Sequence, residues 1–401
     1  MKNKERAYSM GMCGKWLFRT RLRTGILSPG QMRWRVSPLF GFCIPIRSIM
    51  QIKRKVDMSI QKRKTRTFLF LAIATLLVLA VLAVGLARSG DPPAQLSDSA
   101  SWPANLPVYS HIVIVMEENK DYNLVLDPSS APYITNTIKA EGANFLNMFG
   151  EEHFSQGNYF WLFSGDNQDV GFMDAIPASK FNSNNLGQQL ILKKLSFKGY
   201  SEDLPAIGSD IEKTPDCPPV CYARKHVPWV SFGNVPDGTT VSTSSNLRFQ
   251  DFPSDYRQLP TVAFVIPNLT NDMHDGNPPK SVTAGDAWLK QHLDSYYQWA
   301  KTHNSLLILT FDEDSDDDGI LGLTNPGSAD AAQQNRIVTI FAGAHIQHGT
   351  YLEGKGITHV NILRTIEAMY GLQKSGAQQK NALAAGITDS YIITDIFMPL
   401  K

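Results

Sequence analysis

Residues 305–319 read SLLILTFDEDSDDDG, an apolar run that stops abruptly in a burst of carboxylates. A run of this length with no polar alternation is the pattern of a strand covered on both faces, because a strand with one wet face would alternate. The acidic residues behind it repel one another and need compensation. Water on a solvated loop, a structural calcium ion or a catalytic metal could each provide it.

Working outward, the same apolar pattern recurs in HIVIVM (111–116), TVAFVI (261–266) and RIVTIFA (336–342). Between these segments, NLGQQLILKKLSFKGY (185–200), AGDAWLKQHLDSYYQWAKTH (284–303) and HVNILRTIEAMYG (359–371) read as helices. Strand-like runs alternating with helical patterns predict an α/β fold: a three-layer αβα sandwich with a mainly parallel central sheet. No internal repeat is present, and one domain over residues 108–401 accommodates all of these segments.

Sheets of this kind bind ligands beyond the carboxyl ends of their strands, so the residues after each apolar run carry the information. Glu117, Glu118 and Asn119 follow the first, Asp272, His274 and Asp275 the second, and Asp312, Glu313 and Asp314 the third. Hard oxygen ligands with a histidine are the signature of a divalent-metal site. One acidic turn alone is commonly just a solvated loop. Three at the same topological position favour the metal, with Asp312 and Glu313 as its ligands from the third run.

The remainder of the run reads differently. Asp314, Asp316, Asp318 and Gly319 match the first half of an EF-hand loop, with glycine at the sixth position. The twelfth position is Asn325 rather than a bidentate glutamate, and the preceding segment is a strand, so a true EF-hand is excluded. A local calcium ion near Asp314, Asp316 and Asp318 or a solvated turn both stay open.

Charge divides the chain. Of its 38 Lys and Arg residues, 17 precede residue 68, opposed there only by Glu5 and Asp57. The body is therefore acidic, which excludes a general nucleic-acid-binding surface. The boundary is FLFLAIATLLVLAVLAVGLA (68–87), uncharged and long enough to cross a bilayer as a helix. Lys62, Arg63, Lys64 and Arg66 precede it and put residues 1–67 in the cytoplasm as a basic tail. The chain beyond the apolar run is then extracytoplasmic, in the periplasm or at the cell surface. The segment is a signal-anchor, or a signal peptide if it is cut near Gly85-Leu86-Ala87, which would release a secreted protein. Residues 1–57 precede a second methionine, Met58, and read as an over-extended start or a disordered tail. Residues 88–107, rich in Pro, Ser and Asp, form a linker. On the exported side, Cys217 and Cys221 in DCPPVC have the setting of a small disulfide, whereas Cys13 and Cys43 lie before the apolar segment.

Several motifs, in order, resemble a known family. HIVIVMEENKDY is similar to the opening signature of the bacterial and fungal phosphoesterase family of acid phosphatases and phospholipase C-like enzymes. HFSQGNYFWLFSG (153–165) resembles that family's HPSxPNYLALFSG, and YARKHVPWVSF (222–232) its YARKHNPFVYF. IPNLTNDMHDG, AGDAWLKQHL, LLILTFDEDSDDDG and THVNILRTIEAMYGL also have counterparts, so the resemblance covers about residues 108–372. It implies an alkaline-phosphatase-superfamily fold and a nucleophile at Ser155. It further implies that Asn158 holds a phosphate oxygen and that Glu118, Asn119, Asp312 and Glu313 bind a metal touching the Ser155 oxygen. Asp272, His274 and His359 are then ligands of a second metal, or the general acid and phosphate contacts, with Asp275 beside them at the substrate.

The chemistry suits these residue types. A hydroxyl beside a divalent cation becomes a strong nucleophile toward phosphorus, and an amide can hold a phosphate oxygen as charge builds. Two departures stand out: the family's prolines are replaced by Phe154 and Gly157, which predicts a looser nucleophile loop and a new apolar wall. Phe311 stands where the family often has Trp. The expected function is a membrane-anchored, metal-dependent phosphomonoesterase of acid-phosphatase type acting through a phosphoserine on a small phosphoester. The alternatives are a phospholipase C-like diesterase acting on lipid head groups, and a non-catalytic, calcium-stabilised surface binding protein. Oligomeric state is not legible.

Overall fold

The computed structural model describes residues 102–103, 105–170, 174–315 and 335–399. The strands are β1 (His111–Glu117), β2 (Ala143–Phe145), β3 (Met148–Phe149), β4 (Phe197–Ser201), β5 (Asn246–Arg248), β6 (Val262–Ile266), β7 (Ser305–Phe311), β8 (Thr339–Gly343), β9 (Gly349–Tyr351) and β10 (Ile357–Thr358). The longer helices are α1 (Ser155–Ser164), α2 (Leu186–Leu192), α3 (Lys280–Ala300) and α4 (His359–Tyr370). Eight strands form one sheet in the order β5-β4-β6-β1-β7-β8-β2-β9. Neighbours from β5 to β7 run parallel, and β8 alone runs against both of its neighbours. The mainly parallel sheet expected from the apolar runs is present, and it lies within one compact unit, Ala94–Lys401.

Every residue of β6 and β7 is buried, as their unbroken hydrophobicity requires of strands covered on both faces. The two layers can be traced from β4. Phe197 and Tyr200 are three residues apart, so they point to opposite faces of the sheet. Phe197 packs its ring on Phe163 of α1. Tyr200 packs on Phe252, which in turn contacts Tyr296 of α3. Helix α3 therefore covers one face and α1 the other, with α2 and α4 packed beside α1.

One segment departs from its expected form. NLGQQLILKKLSFKGY was expected to be a single helix, but α2 ends at Leu192 and FKGYS is strand β4. Lys194 adopts φ 61, which breaks the helix. Gly199 then sits against the Trp229 indole, so closely that a Cβ there would lie 2.1 Å from the ring. Burial on the sheet overrides the helical pattern.

A second small sheet decides where the loops emerge. β3 and β10 pair in parallel, Met148 with Ile357 and Phe149 with Thr358, so both chains leave at the same edge. One continues toward Ser155 and the other into α4 at His359.

Residues 68–87, most of the linker, Cys13, Cys43, Asp316, Asp318 and Gly319 lie outside the described residues, and with them the expected membrane segment and calcium turn. Among the described residues no helix is long and apolar enough to cross a membrane.

Candidate active site

β1 and β7 are adjacent, which brings the acidic residues after each of them side by side. The Asp312 N–H donates to the Glu117 carbonyl at 3.0 Å, and the Asp312 carboxylate accepts the Asn119 N–H at 3.0 Å. The Glu118 N–H donates to the Asp272 carbonyl at 2.8 Å, adding the turn after β6. All three acidic turns converge on one edge of the sheet, as parallel topology demands.

Ser155 joins them as the first residue of α1. Its Oγ donates to Glu118 Oε2 at 2.9 Å and lies 3.5 Å from Glu313 Oε1. The Tyr159 hydroxyl, one turn on, donates to Glu118 Oε1 at 2.5 Å. His226 stacks on the Tyr159 ring, with centroids 5.0 Å apart and planes at 7°. Its Nε2 is 3.2 Å from Glu118 Oε1 and its Nδ1 3.4 Å from Asp272 Oδ2.

Neither His226 Nε2 nor Asp272 Oδ2 has a hydrogen-bond partner despite these approaches, and both are buried. Asp312 Oδ2 and Asn119 Oδ1 are likewise buried without one. Ligand atoms of Glu118, His226 and Asp272 lie within 4.8 Å of one another. Burial, then the charges of Asp312 and Asp272, push Glu118 well above the usual carboxylate range. Asp272 and Asp312 are raised by burial too. His226 is pushed well below its usual range by burial, then by Lys225 and His274, so its imidazole is neutral.

Orphaned buried acceptors are costly, and three buried carboxylates cannot all ionise without compensation. Carboxylates, an amide oxygen and one neutral imidazole form a donor set that a divalent cation satisfies. On these grounds Glu118, Asn119, Asp272, Asp312 and His226 fit a divalent metal.

Glu313 stands behind this group. Its Oε2 accepts the Phe154 N–H and faces His153 Nδ1, both at 2.9 Å, while Oε1 accepts from Asn119 Nδ2 at 3.1 Å. Burial raises it to about 7. With both oxygens engaged, it clamps Asn119 and the nucleophile turn from behind.

This explains the missing prolines. Phe154 has φ 77, which a pyrrolidine ring forbids, and it uses the N–H that proline lacks. At Gly157 a Cβ would lie 1.8 Å from Glu152 Oε1. The turn is held by different contacts from those a proline would provide, rather than loosened.

Other expected residues take different places. Asn158, expected at a phosphate oxygen, is fully buried, with its carbonyl accepting the Glu151 and Glu152 N–H groups at 3.1 and 3.2 Å and its amide donating to the Glu152 carbonyl. It holds the turn before Ser155 in shape. His359, expected to be catalytic, is enclosed: Nδ1 meets Glu151 Oε2 at 2.5 Å and Nε2 meets the Phe311 carbonyl at 2.7 Å. Both nitrogens face protein oxygens, which ties His359 to the turn before Ser155 and to the end of β7. His274 and Asp275 sit at the rim, bonded to each other at 2.9 Å.

Cys217 and Cys221 are joined by a disulfide. Cys221 N–H donates to Asp203 at 2.8 Å, an oxygen that also takes Asn268 Nδ2 at 2.7 Å, and Leu269 N–H donates to the Cys221 carbonyl at 3.1 Å. The staple thus braces the loop that carries Asp272.

His226, Tyr159, His153 and Lys225 were not singled out from the sequence. His226 and Lys225 lie in the YARKH motif and His153 and Tyr159 in HFSQGNY, so the signal was there without a spacing rule to reveal their roles.

Comparison with known proteins gives the family. Residues 125–373 match the model of the phosphoesterase family. The chain is 42% identical over 304 residues to a phosphatidylinositol-3-phosphatase of Mycobacterium tuberculosis, covering 75% of this chain and 89% of that protein. It is 27% identical over 316 residues to a phosphate-repressible acid phosphatase of Penicillium chrysogenum, covering 74% and 69%. Among solved structures it is similar to a Vibrio parahaemolyticus protein of the alkaline phosphatase superfamily, with TM-score 0.46, 11% identity and coverage of 71% and 72%. With a hydroxyl set among buried acidic groups and a family match over residues 125–373, the chain belongs to the phosphoesterase family, hydrolases of phosphoric esters.

Proposed function

We propose that this chain is a metal-dependent phosphomonoesterase of acid-phosphatase type in which Ser155 is the nucleophile. The observation that carries this reading is the Ser155 hydroxyl, buried at the start of α1 with its hydrogen directed at Glu118 Oε2 at 2.9 Å. A divalent ion held by Glu118, Asn119, Asp272, Asp312 and His226 would supply Lewis acidity, lowering the hydroxyl's pKa and neutralising phosphate charge. Glu118 orients Oγ, and Tyr159 fixes Glu118 from its other oxygen. Oγ gives its proton to Glu118 Oε2 and attacks phosphorus, the Oγ–P bond forms, and the ester P–O bond breaks as the leaving oxygen takes a proton from His274. Water then gives a proton back to His274 and attacks the phosphoserine, the Oγ–P bond breaks, Oγ recovers its proton from Glu118, and phosphate departs. His274, half-buried and bonded to Asp275, is the proton donor to the leaving oxygen in this scheme.

The 42% identity to a phosphatidylinositol-3-phosphatase supports an inositol-lipid monoester as substrate. Phe154, exposed beside the nucleophile, supports a substrate with an apolar portion. The uncharged run 68–87 supports membrane anchorage with the catalytic domain outside the cytoplasm.

Hydrolysis of p-nitrophenyl phosphate by Ser155→Ala tests the reading. A fall in kcat of at least about 10³-fold is expected, since a missing nucleophile removes the chemical step. A mutant as fast as the parent would refute the assignment. Faster turnover of bis-p-nitrophenyl phosphate than of the monoester by the parent would replace the monoesterase with a diesterase.

A further inference from the structure

Lys225 is a cation that the scheme above leaves without a task. It belongs to the short turn Arg224–His226, directly before the candidate ligand His226, and its side chain is 21% exposed. Its Nζ donates to Asp174 Oδ2 at 2.8 Å. The other oxygen of that carboxylate, Oδ1, accepts the backbone N–H of Gln156 at 3.1 Å. Gln156 follows the nucleophile as the second residue of α1, so its N–H is one of the helix's initial donors without an intrahelical partner. The Gln156 side chain donates to the Ala175 carbonyl at 2.8 Å, seating residues 174–175 on the first turn of α1.

A single carboxylate therefore occupies two anion donors flanking Ser155, an ammonium and a helix N-terminal N–H. These two donors together suit a phosphate oxygen pair. Lys225 is also the cation whose charge acts on both Glu118 and Asp272, which puts it within the field of the carboxylate cluster. A phosphomonoester dianion carries more charge than Asp174 and can displace it from these donors. A diester monoanion matches Asp174 in charge and gains no such advantage.

We propose that Lys225 and the Gln156 N–H bind the phosphoryl group, and that Asp174 holds both donors until a dianionic phosphate displaces it. Asp174 thereby sets the preference for monoesters over diesters. The proposal rests on the phosphoesterase reading of the Ser155 site.

The test is binding of inorganic phosphate to the full-length protein as purified, measured by titration calorimetry, which needs no turnover. Lys225→Met is expected to weaken phosphate binding by about 10- to 100-fold, the value of a hydrogen bond to a charged group. Lys225→Arg is expected to stay within a few-fold of the parent, and Asp174→Asn to bind phosphate several-fold more tightly. Lys225→Met is further expected to lose kcat/KM for p-nitrophenyl phosphate more than for its diester. Unchanged phosphate affinity in Lys225→Met would overturn the proposal. So would weakening by Asp174→Asn to match Lys225→Met, the result of a purely structural ion pair. If Lys225→Met does not fold, Lys225→Arg and Asp174→Asn decide the matter alone. Repeating the titrations in Ser155→Ala separates the two readings: persistent hydrolysis there sinks the nucleophile, whereas the Lys225 effect is judged on binding.

Discussion

His359 is fully enclosed, with both ring nitrogens facing protein oxygens. Burial pulls its imidazole down, but the Glu151 charge and hydrogen bond, with the Phe311 carbonyl, outweigh it and leave the group raised. It ties the start of α4 to the turn before Ser155 and to the end of β7. Removing one member of such a pair leaves the other charge buried and unpaired, which costs about 3–5 kcal/mol. His359→Ala is therefore expected to lower the urea midpoint strongly, with KM of the surviving folded fraction within about threefold of the parent, the factor that ~0.7 kcal/mol represents. A mutant as stable as the parent but with a large rise in KM would return His359 to the substrate. No reading of HVNILRTIEAMYG alone could foresee this, because the partner Glu151 is 208 residues away in sequence. Ser155 was equally invisible to composition and came only through motif resemblance, whereas Glu118, Asp272 and Asp312 were legible because each ends a buried strand.

At the scale of elements, the turn from Gly150 to Ser155 carries most of the local design. Glu152 sits within it, 3% exposed, with Asn167 Nδ2 donating to both of its oxygens at 3.0 Å. Burial raises its carboxyl to about 7, above the value near 4.5 of an exposed glutamate. The folded state thus holds this proton more tightly than the unfolded chain. The resulting stabilisation is complete below about pH 4.5 and is lost as pH rises through about 7, amounting to at most about 3 kcal/mol. Glu152→Gln is expected to flatten the pH dependence of urea stability across that window and to make the protein more stable than the parent at pH 8. An unchanged slope between pH 4.5 and 7 would show that Glu152 does not titrate there. Elements were read well where period and burial agree, as in β1, β6, β7 and α4. They were read poorly at residues 185–200, where a helical pattern continues past Lys194 but parallel pairing with β5 and β6, distant in sequence, makes residues 197–201 a strand.

Over the whole molecule, parallel order is what turns three separate acidic runs into one cluster, since β6, β1 and β7 are consecutive neighbours and end at the same edge. The fold therefore stores repulsion among Glu118, Asp272 and Asp312 that a divalent cation would relieve. Binding to the native state alone stabilises it by about 2.7 kcal/mol at a hundredfold excess over Kd. Dialysis against EDTA is expected to lower Tm by several degrees and abolish phosphatase activity, and restoring a divalent ion to recover both. Asp272→Asn is expected to blunt the Tm response. Full activity and an unchanged Tm after EDTA would remove the metal from the account. The central claim is covalent chemistry at Ser155, and the most direct measurement is acid quenching during turnover, followed by peptide mass spectrometry. The account predicts a phosphate on the peptide containing Ser155, absent without substrate and absent in Ser155→Ala; phosphate on another residue, or undiminished turnover in Ser155→Ala, would contradict it.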